Sequence, residues 1–316
     1  GQILNTFAEF YHIPGELAAP PVSPSMDTDD EVELIRPEII PNSEFFEKYL
    51  ARCYNDILNS EEINLNQTGD FMGCEDFRTA LASFLFRFHK LEVEPERIVV
   101  GSSVETLMFN LLHLPSLKRP SGIRRNGGLL SHAEKLRTSV LPLAALPENA
   151  RNAAKRLFSD AGFDIKLVAV DEIGVTYDSL LTSGATVLYV EPEFVPEFAV
   201  EDPAERRADI FGWANDADYR YIIEYDNTRT VHIDSTFKGE DSNDKVIYIN
   251  SFSTLLCKGI SASWMVLPKQ IYDEYRGIAK NFPNSLSYLD QLALAQFLDK
   301  GFMDNYLQSI ESGLEL

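Results

Sequence analysis

The sequence predicts an α/β domain with a doubly wound, mostly parallel sheet, and three observations carry that prediction. Short apolar runs such as Ile98-Val99-Val100 and Val246–Asn250 recur along the chain, with segments of helical period between them. These runs are apolar throughout rather than alternating, as strands covered on both faces must be. With 316 residues, 45% of them hydrophobic and 24% charged, the chain can bury a sizeable core without a disulfide or metal staple.

The charge balance narrows the function classes. Forty-nine acidic against 28 basic residues leave a formal charge of -21, a surface that repels phosphate backbones and anionic lipid. This segment by itself is therefore expected to bind neither nucleic acid nor membrane. Cys53, Cys74 and Cys257 form no CxxC pair and no metal-type spacing, which fits buried thiols in a reducing compartment. No apolar run reaches the roughly 18 residues that span a bilayer, and no charged-then-apolar leader opens the sequence. A soluble, cytoplasmic protein is the expectation.

Residues 1–42 read as an arm or linker, because Pro20, Pro21, Pro24, Pro37 and Pro41 punctuate an acidic stretch with no sustained period. The domain proper is placed at 43–316. Its first helix follows the capping residues Asn42-Ser43 and carries Phe45, Phe46, Tyr49, Leu50, Cys53, Tyr54, Ile57 and Leu58 on one stripe. A glycine-containing turn (Gly69, Gly73) leads to a second helix with Phe77, Leu81, Phe84, Leu85 and Phe88 on one face. The strand Ile98-Val99-Val100 ends at Gly101-Ser102-Ser103, and Leu107, Met108, Leu111 and Leu112 resume a helical pattern. Residues 115–147 show the least regularity. Further strands are placed at Ile165–Val170, Ala185–Val190, Tyr221–Glu224, Val246–Asn250 and Ser263–Leu267. Helices are placed near 149–161, 203–216, 269–280 and 285–299. In such sheets ligands bind beyond the carboxyl ends of the strands, which directs attention to 101–104, 191–197, 225–229 and 251–261.

Four collinear segments at those strand ends carry a resemblance. They are residues 66–112 with Gly101-Ser102-Ser103, residues 184–207 with Tyr189-Val190-Glu191-Pro192 and Arg206-Arg207, Tyr221–Asn227, and Ile247–Ser261. Together they resemble the aminotransferase-like domain of the MocR branch of GntR regulators, relatives of class I aminotransferases, over roughly residues 40–310. The resemblance implies a three-layer, mostly parallel large domain of the fold-type-I, pyridoxal-phosphate-dependent aminotransferases. It also implies a homodimer and a role in transcription regulation. After Gln308 the family continues into a small C-terminal domain, so a truncated C-terminal part is expected here.

The same alignment implies a degenerate site. The family motif iYigtFSKtLaPGlR runs without a gap over Ile247–Ser261 and puts Thr254 where the Schiff-base lysine belongs. Lys258 falls on the family's proline. The aspartate that faces the pyridine nitrogen aligns with Tyr225, with Asp226 one residue on and therefore on the opposite face of a regular strand. Asn227 takes the place of a tyrosine, and Ser261 that of a phosphate-binding arginine. No catalytic residue is therefore expected.

What the alignment leaves is a residual cup of Gly101, Ser102, Ser103, Asp226, Ser251 and Ser253. Gly101-Ser102-Ser103 opens a helix and so offers backbone N–H groups to an anion, with plain helix capping as the alternative use of the same serines. The cup suits a small anionic or amino-acid-like ligand. Pyridoxal phosphate would be held at most weakly and non-covalently, and no cofactor is the leading expectation. The functional expectation is a non-catalytic ligand-binding or dimerisation domain of a MocR/GntR-type regulator. The alternatives are an aminotransferase using Lys258 as a displaced lysine, and a structural interaction protein with an empty pocket.

Overall fold

A computed structural model describes residues 43–61, 63–65, 69–118, 141–191, 203–227, 236–256 and 259–312. The arm expected at 1–42, and Cys257 and Lys258, lie outside the described residues. Helices α1 (Ser43–Leu58) and α2 (Glu75–His89) precede β1 (Ile98–Gly101) and α3 (Val104–Leu111). Next come β2 (Leu143–Pro147), α4 (Asn152–Asp160), β3 (Asp164–Val168), the short β4 (Val170–Asp171) and β5 (Gly174–Val175), α5 (Tyr177–Ser183), β6 (Val187–Val190) and α6 (Pro203–Asn215). The remainder is β7 (Tyr221–Tyr225), α7 (Phe237–Glu240), β8 (Val246–Ser251), α8 (Phe252–Leu255), β9 (Ser263–Val266), α9 (Lys269–Ala279), α10 (Tyr288–Asp299) and α11 (Phe302–Ser312).

Seven strands form one sheet in the order β1-β9-β8-β7-β6-β2-β3. β9 runs antiparallel to both β1 and β8, and the other pairs are parallel. The predicted three-layer architecture follows from the alternation of side chains along each strand. On one face, Tyr189, Ile223, Ile247, Ile249 and Met265 pack against Leu107 and Leu111 of α3, Phe158 of α4 and Tyr275 of α9. The opposite face divides in two. Tyr248, Trp264 and Val266 meet α2 and α10 through Phe84 and Phe297, while Leu188, Ile222 and Val246 meet α6 through Ile210 and Trp213.

Most predicted elements are found within a few residues of their places. The predicted strand Ile165–Val170 divides into β3 and β4. β2 lies inside the stretch that reads as least regular, because Ala144 and Ala145 have weak strand preference and Pro147 reads as a breaker. Pro147 is tolerated because β2 pairs with β6 only at Ala144 and Ala145, so the missing N–H interrupts nothing on that side.

The glycine turn before α2 is pinned from the far end of the chain. Gln291 Oε1 accepts from the Cys74 N–H (2.6 Å), and Asn284 Nδ2 donates to the carbonyls of Phe71 and Val100 (both 3.0 Å). Gly73 has φ +115, and a Cβ there would lie 2.0 Å from Val100 Cγ2. Gly73→Ala should therefore destabilise the domain by ~2–5 kcal/mol, combining left-handed strain with overpacking. Gly277, inside α9 with nothing within 4 Å of its Cβ position, is the contrasting site. Gly277→Ala should stabilise by ~0.8–1 kcal/mol, and urea unfolding midpoints at constant slope check both changes.

Candidate functional site

The strands β1, β8, β7, β6 and β2 all end on one edge of the sheet, where β9 begins. Register aligns Gly101 with Ser263 and Ser263 with Ser251, so three neighbouring strands bring the glycine and two serines into one row. Two of the predicted cup segments are thus close, with Ser263, which sequence reasoning missed, between them. Several polar groups of this row have partners within the protein. Ser103 caps α3, its Oγ accepting the Thr106 N–H (3.2 Å), and the Ser102 N–H donates to Ser285 Oγ (3.0 Å). Ser251 caps α8, accepting from the Ser253 N–H (3.2 Å) and from Ser263 Oγ (3.0 Å) and donating to the Ala262 carbonyl (3.2 Å). Ser253 Oγ lies 2.8 Å from Ser251 Oγ. Thr254 falls within α8, immediately after β8.

A second cluster sits on the same edge, over β2, β6 and β7. Glu191 follows β6, and its carboxylate is fully used. Oε1 accepts from Arg151 Nε (3.1 Å) and from the Tyr189 hydroxyl (2.9 Å). Oε2 pairs with Arg151 Nη2 (3.0 Å) and accepts from Asn227 Nδ2 (2.9 Å). The Arg151 guanidinium lies 5.0 Å from the centroid of the Tyr225 ring, within cation–π range. Burial and the adjacent Glu191 carboxylate push the Tyr189 phenol well above its ordinary value, which fixes it as a donor. Arg151 stands at the start of the helix placed near 149–161 and in no motif, so nothing in the sequence marked it as a site residue. Glu191 could have been found as a lone carboxylate at the end of an apolar strand.

The next residue along β7 points the other way. Asp226 is buried on the face opposite Tyr225, where its Oδ2 accepts from the Tyr248 hydroxyl (2.7 Å), and Asn250 Nδ2 donates to the same phenol oxygen (3.0 Å). The structure therefore does not bring Asp226 into the row of serines. Two residues earlier on that face, Glu224 accepts from the N–H groups of Phe237 (2.8 Å) and Lys238 (2.9 Å) at the start of α7. Arg206 and Arg207, part of the family-like segment, pair with Asp171 and Glu240. At the other end of the sheet a cleft lined by Lys90, Arg97, Lys238, Asp241 and Asp244 carries two ion pairs, Arg97 with Asp244 and Lys238 with Asp241. Among the described residues no group of His, Cys, Asp and Glu could hold a metal ion, and no helix is long and apolar enough to cross a membrane.

No family model matches the chain. An uncharacterized HTH-type transcriptional regulator of Bacillus subtilis (strain 168), YhdI, is 23% identical over 253 residues, covering 79% of this chain and 49% of the relative. The probable rhizopine catabolism regulatory protein MocR of Rhizobium meliloti is 30% identical over 71 residues, which is 22% of this chain and 14% of that protein. The chain thus spans about half the length of the first curated relatives it matches. In three dimensions it superposes on an archaeal alanine:glyoxylate aminotransferase with a TM-score of 0.66 at 19% identity, covering 85% of this chain and 64% of that one. The chain is thus similar in sequence to HTH-type transcriptional regulators, MocR among them over a short stretch, and has the fold of the aminotransferases.

Pyridoxal phosphate is poorly matched at the end of β7, which presents a phenol ring beneath a guanidinium where the alignment puts a carboxylate, and at the serine row, where the Ser102 N–H and the Ser251 hydroxyl already donate to protein partners.

The buried row on β7 gives a pH signature. Burial pushes Glu224 up from 4.5 to about 8, against the pull of its two amide donors. Its folded value lies above the unfolded one, so the folded state binds the extra proton between them, and that contribution to stability fades as pH rises towards 8. Unfolding free energy should fall over this window by at most ~1.4 kcal/mol per pH unit. Denaturation at several pH values checks this, with a flatter profile expected for Glu224→Gln.

Proposed function

We propose that this domain is the non-catalytic ligand-binding or dimerisation part of a MocR/GntR-type transcriptional regulator, built on an aminotransferase fold that no longer performs transamination. One observation carries the reading. In the gapless match over Ile247–Ser261, Thr254 occupies the lysine position, and a threonine hydroxyl cannot form the imine on which the family's chemistry depends. The engaged Ser102 N–H and Ser251 hydroxyl and the phenol of Tyr225 support it, since each stands where the family needs a group for the cofactor. The sequence relation to HTH-type regulators supports the regulatory role. In this reading the protein is a cytoplasmic homodimer, and whatever it senses acts by differential binding to two states of the domain.

Covalent chemistry tests the proposal directly. Purified protein mixed with pyridoxal phosphate should show no imine absorbance, and borohydride should fix no adduct on any peptide. A reduced adduct mapped to Lys258 would sink the reading and restore the enzyme alternative. Thr254→Lys should also remain inactive, because Tyr225 and Ser261 leave the pyridine nitrogen and phosphate without family partners. Amino-group transfer by that single variant, measured with amino-acid and keto-acid pairs, would contradict the account.

A further inference from the structure

We propose that the Tyr225 ring, clamped beneath Arg151, fills the space in which the aminotransferase family holds its cofactor ring, so that this domain keeps its pocket occupied by its own side chains. The inference rests on the alignment behind the proposed function, which puts Tyr225 at the position of the carboxylate facing the pyridine nitrogen. A carboxyl group there would end where the ring of Tyr225 begins. The phenol extends from the same Cβ by the length of a six-membered ring, into the space a pyridine would take.

Direction supports this placement. Tyr225 is in register with Ile249 on β8 and packs on the face lined by α3 and α4. Arg151, immediately before α4, lays its flat guanidinium 5.0 Å from the ring centroid as a second layer. That layer is held in place by Glu191, which takes Nε and Nη2 of Arg151 and whose remaining acceptor positions are filled by Tyr189 and Asn227. A planar fork gripped along one edge cannot rotate away from the ring without breaking two charge-assisted bonds. A cofactor ring would have to displace the phenol, the guanidinium and their hydrogen bonds together. Arg151 and Glu191 thus act as positioning residues for the Tyr225 ring.

Pyridoxal phosphate titrated calorimetrically into the full chain and three variants tests the proposal. The wild-type chain and Tyr225→Phe, which keeps the ring, should show no binding tighter than roughly millimolar, ~4 kcal/mol. Tyr225→Asp, which removes the ring and restores a carboxylate, should gain about tenfold or more, equivalent to ~1.4 kcal/mol. Arg151→Ala, which removes the upper layer, should gain in the same direction and carries the test if circular dichroism shows Tyr225→Asp unfolded. No gain in the folded variants overturns the proposal, as does a gain by Tyr225→Phe equal to that of Tyr225→Asp. Micromolar binding by the wild-type chain also overturns it, yet without a borohydride-fixed adduct it leaves the non-catalytic reading standing. A fixed adduct sinks both.

Discussion

The constraint on which this structure depends is that its sheet is covered on both faces. With α3, α4 and α9 on one side and α2, α10 and α6 on the other, the inner strands meet no water. Any polar side chain placed there must find its partner within the protein, since an unpaired buried carboxylate costs several kcal/mol, on the order of the whole stability of a domain. Glu224 finds the first amides of α7, and Asp226 finds Tyr248. The rule still holds for Ser251 and Ser263 at the strand ends, which are buried and bonded to each other, and it relaxes only at Arg151, whose side chain is half exposed.

Glu191 organises that edge. A partly buried ion pair gains little unless every lone pair and proton around it is used, because desolvation offsets the Coulomb attraction. Arg151, Tyr189 and Asn227 together use the carboxylate fully. Tyr225 and Asn227 belong with Arg151 and Glu191 to one mutually supporting arrangement. Such coupled contacts respond to mutation as a unit rather than additively.

Much of the fold was legible because period and composition agree where strands are pure β-branched or aromatic. Tyr221–Glu224 and Val246–Asn250 each needed only one residue added at the end. β2 was illegible because its alanines and Pro147 conceal a strand whose position is dictated by neighbours on both sides. The helix expected from 285 begins at Tyr288, because Asn284 and Ser285 spend their side chains on Phe71, Val100 and Ser102. For the candidate site, helix capping was legible at Ser103, while Ser251 was singled out as a cup residue and its capping of α8 was not foreseen. Local motifs could not expose Arg151 with Glu191, or Ser263 with Gly101, since those contacts are made only when segments far apart in the chain become adjacent.

Among the described residues, β1 pairs with β9 alone within the sheet, Ile98 facing Val266. When the chain leaves the ribosome, β1 emerges long before its only sheet partner exists. The strands from β2 to β8 can assemble among themselves in the meantime, while Ile98, Val99 and Val100 must wait, shielded by α2 and α3 at best. Closing that loop late carries the entropic delay of a distant contact. The edge where Gly101, Ser263 and Ser251 meet is therefore among the last parts of the molecule to form, and any ligand that recognises it selects chains whose synthesis has passed β9.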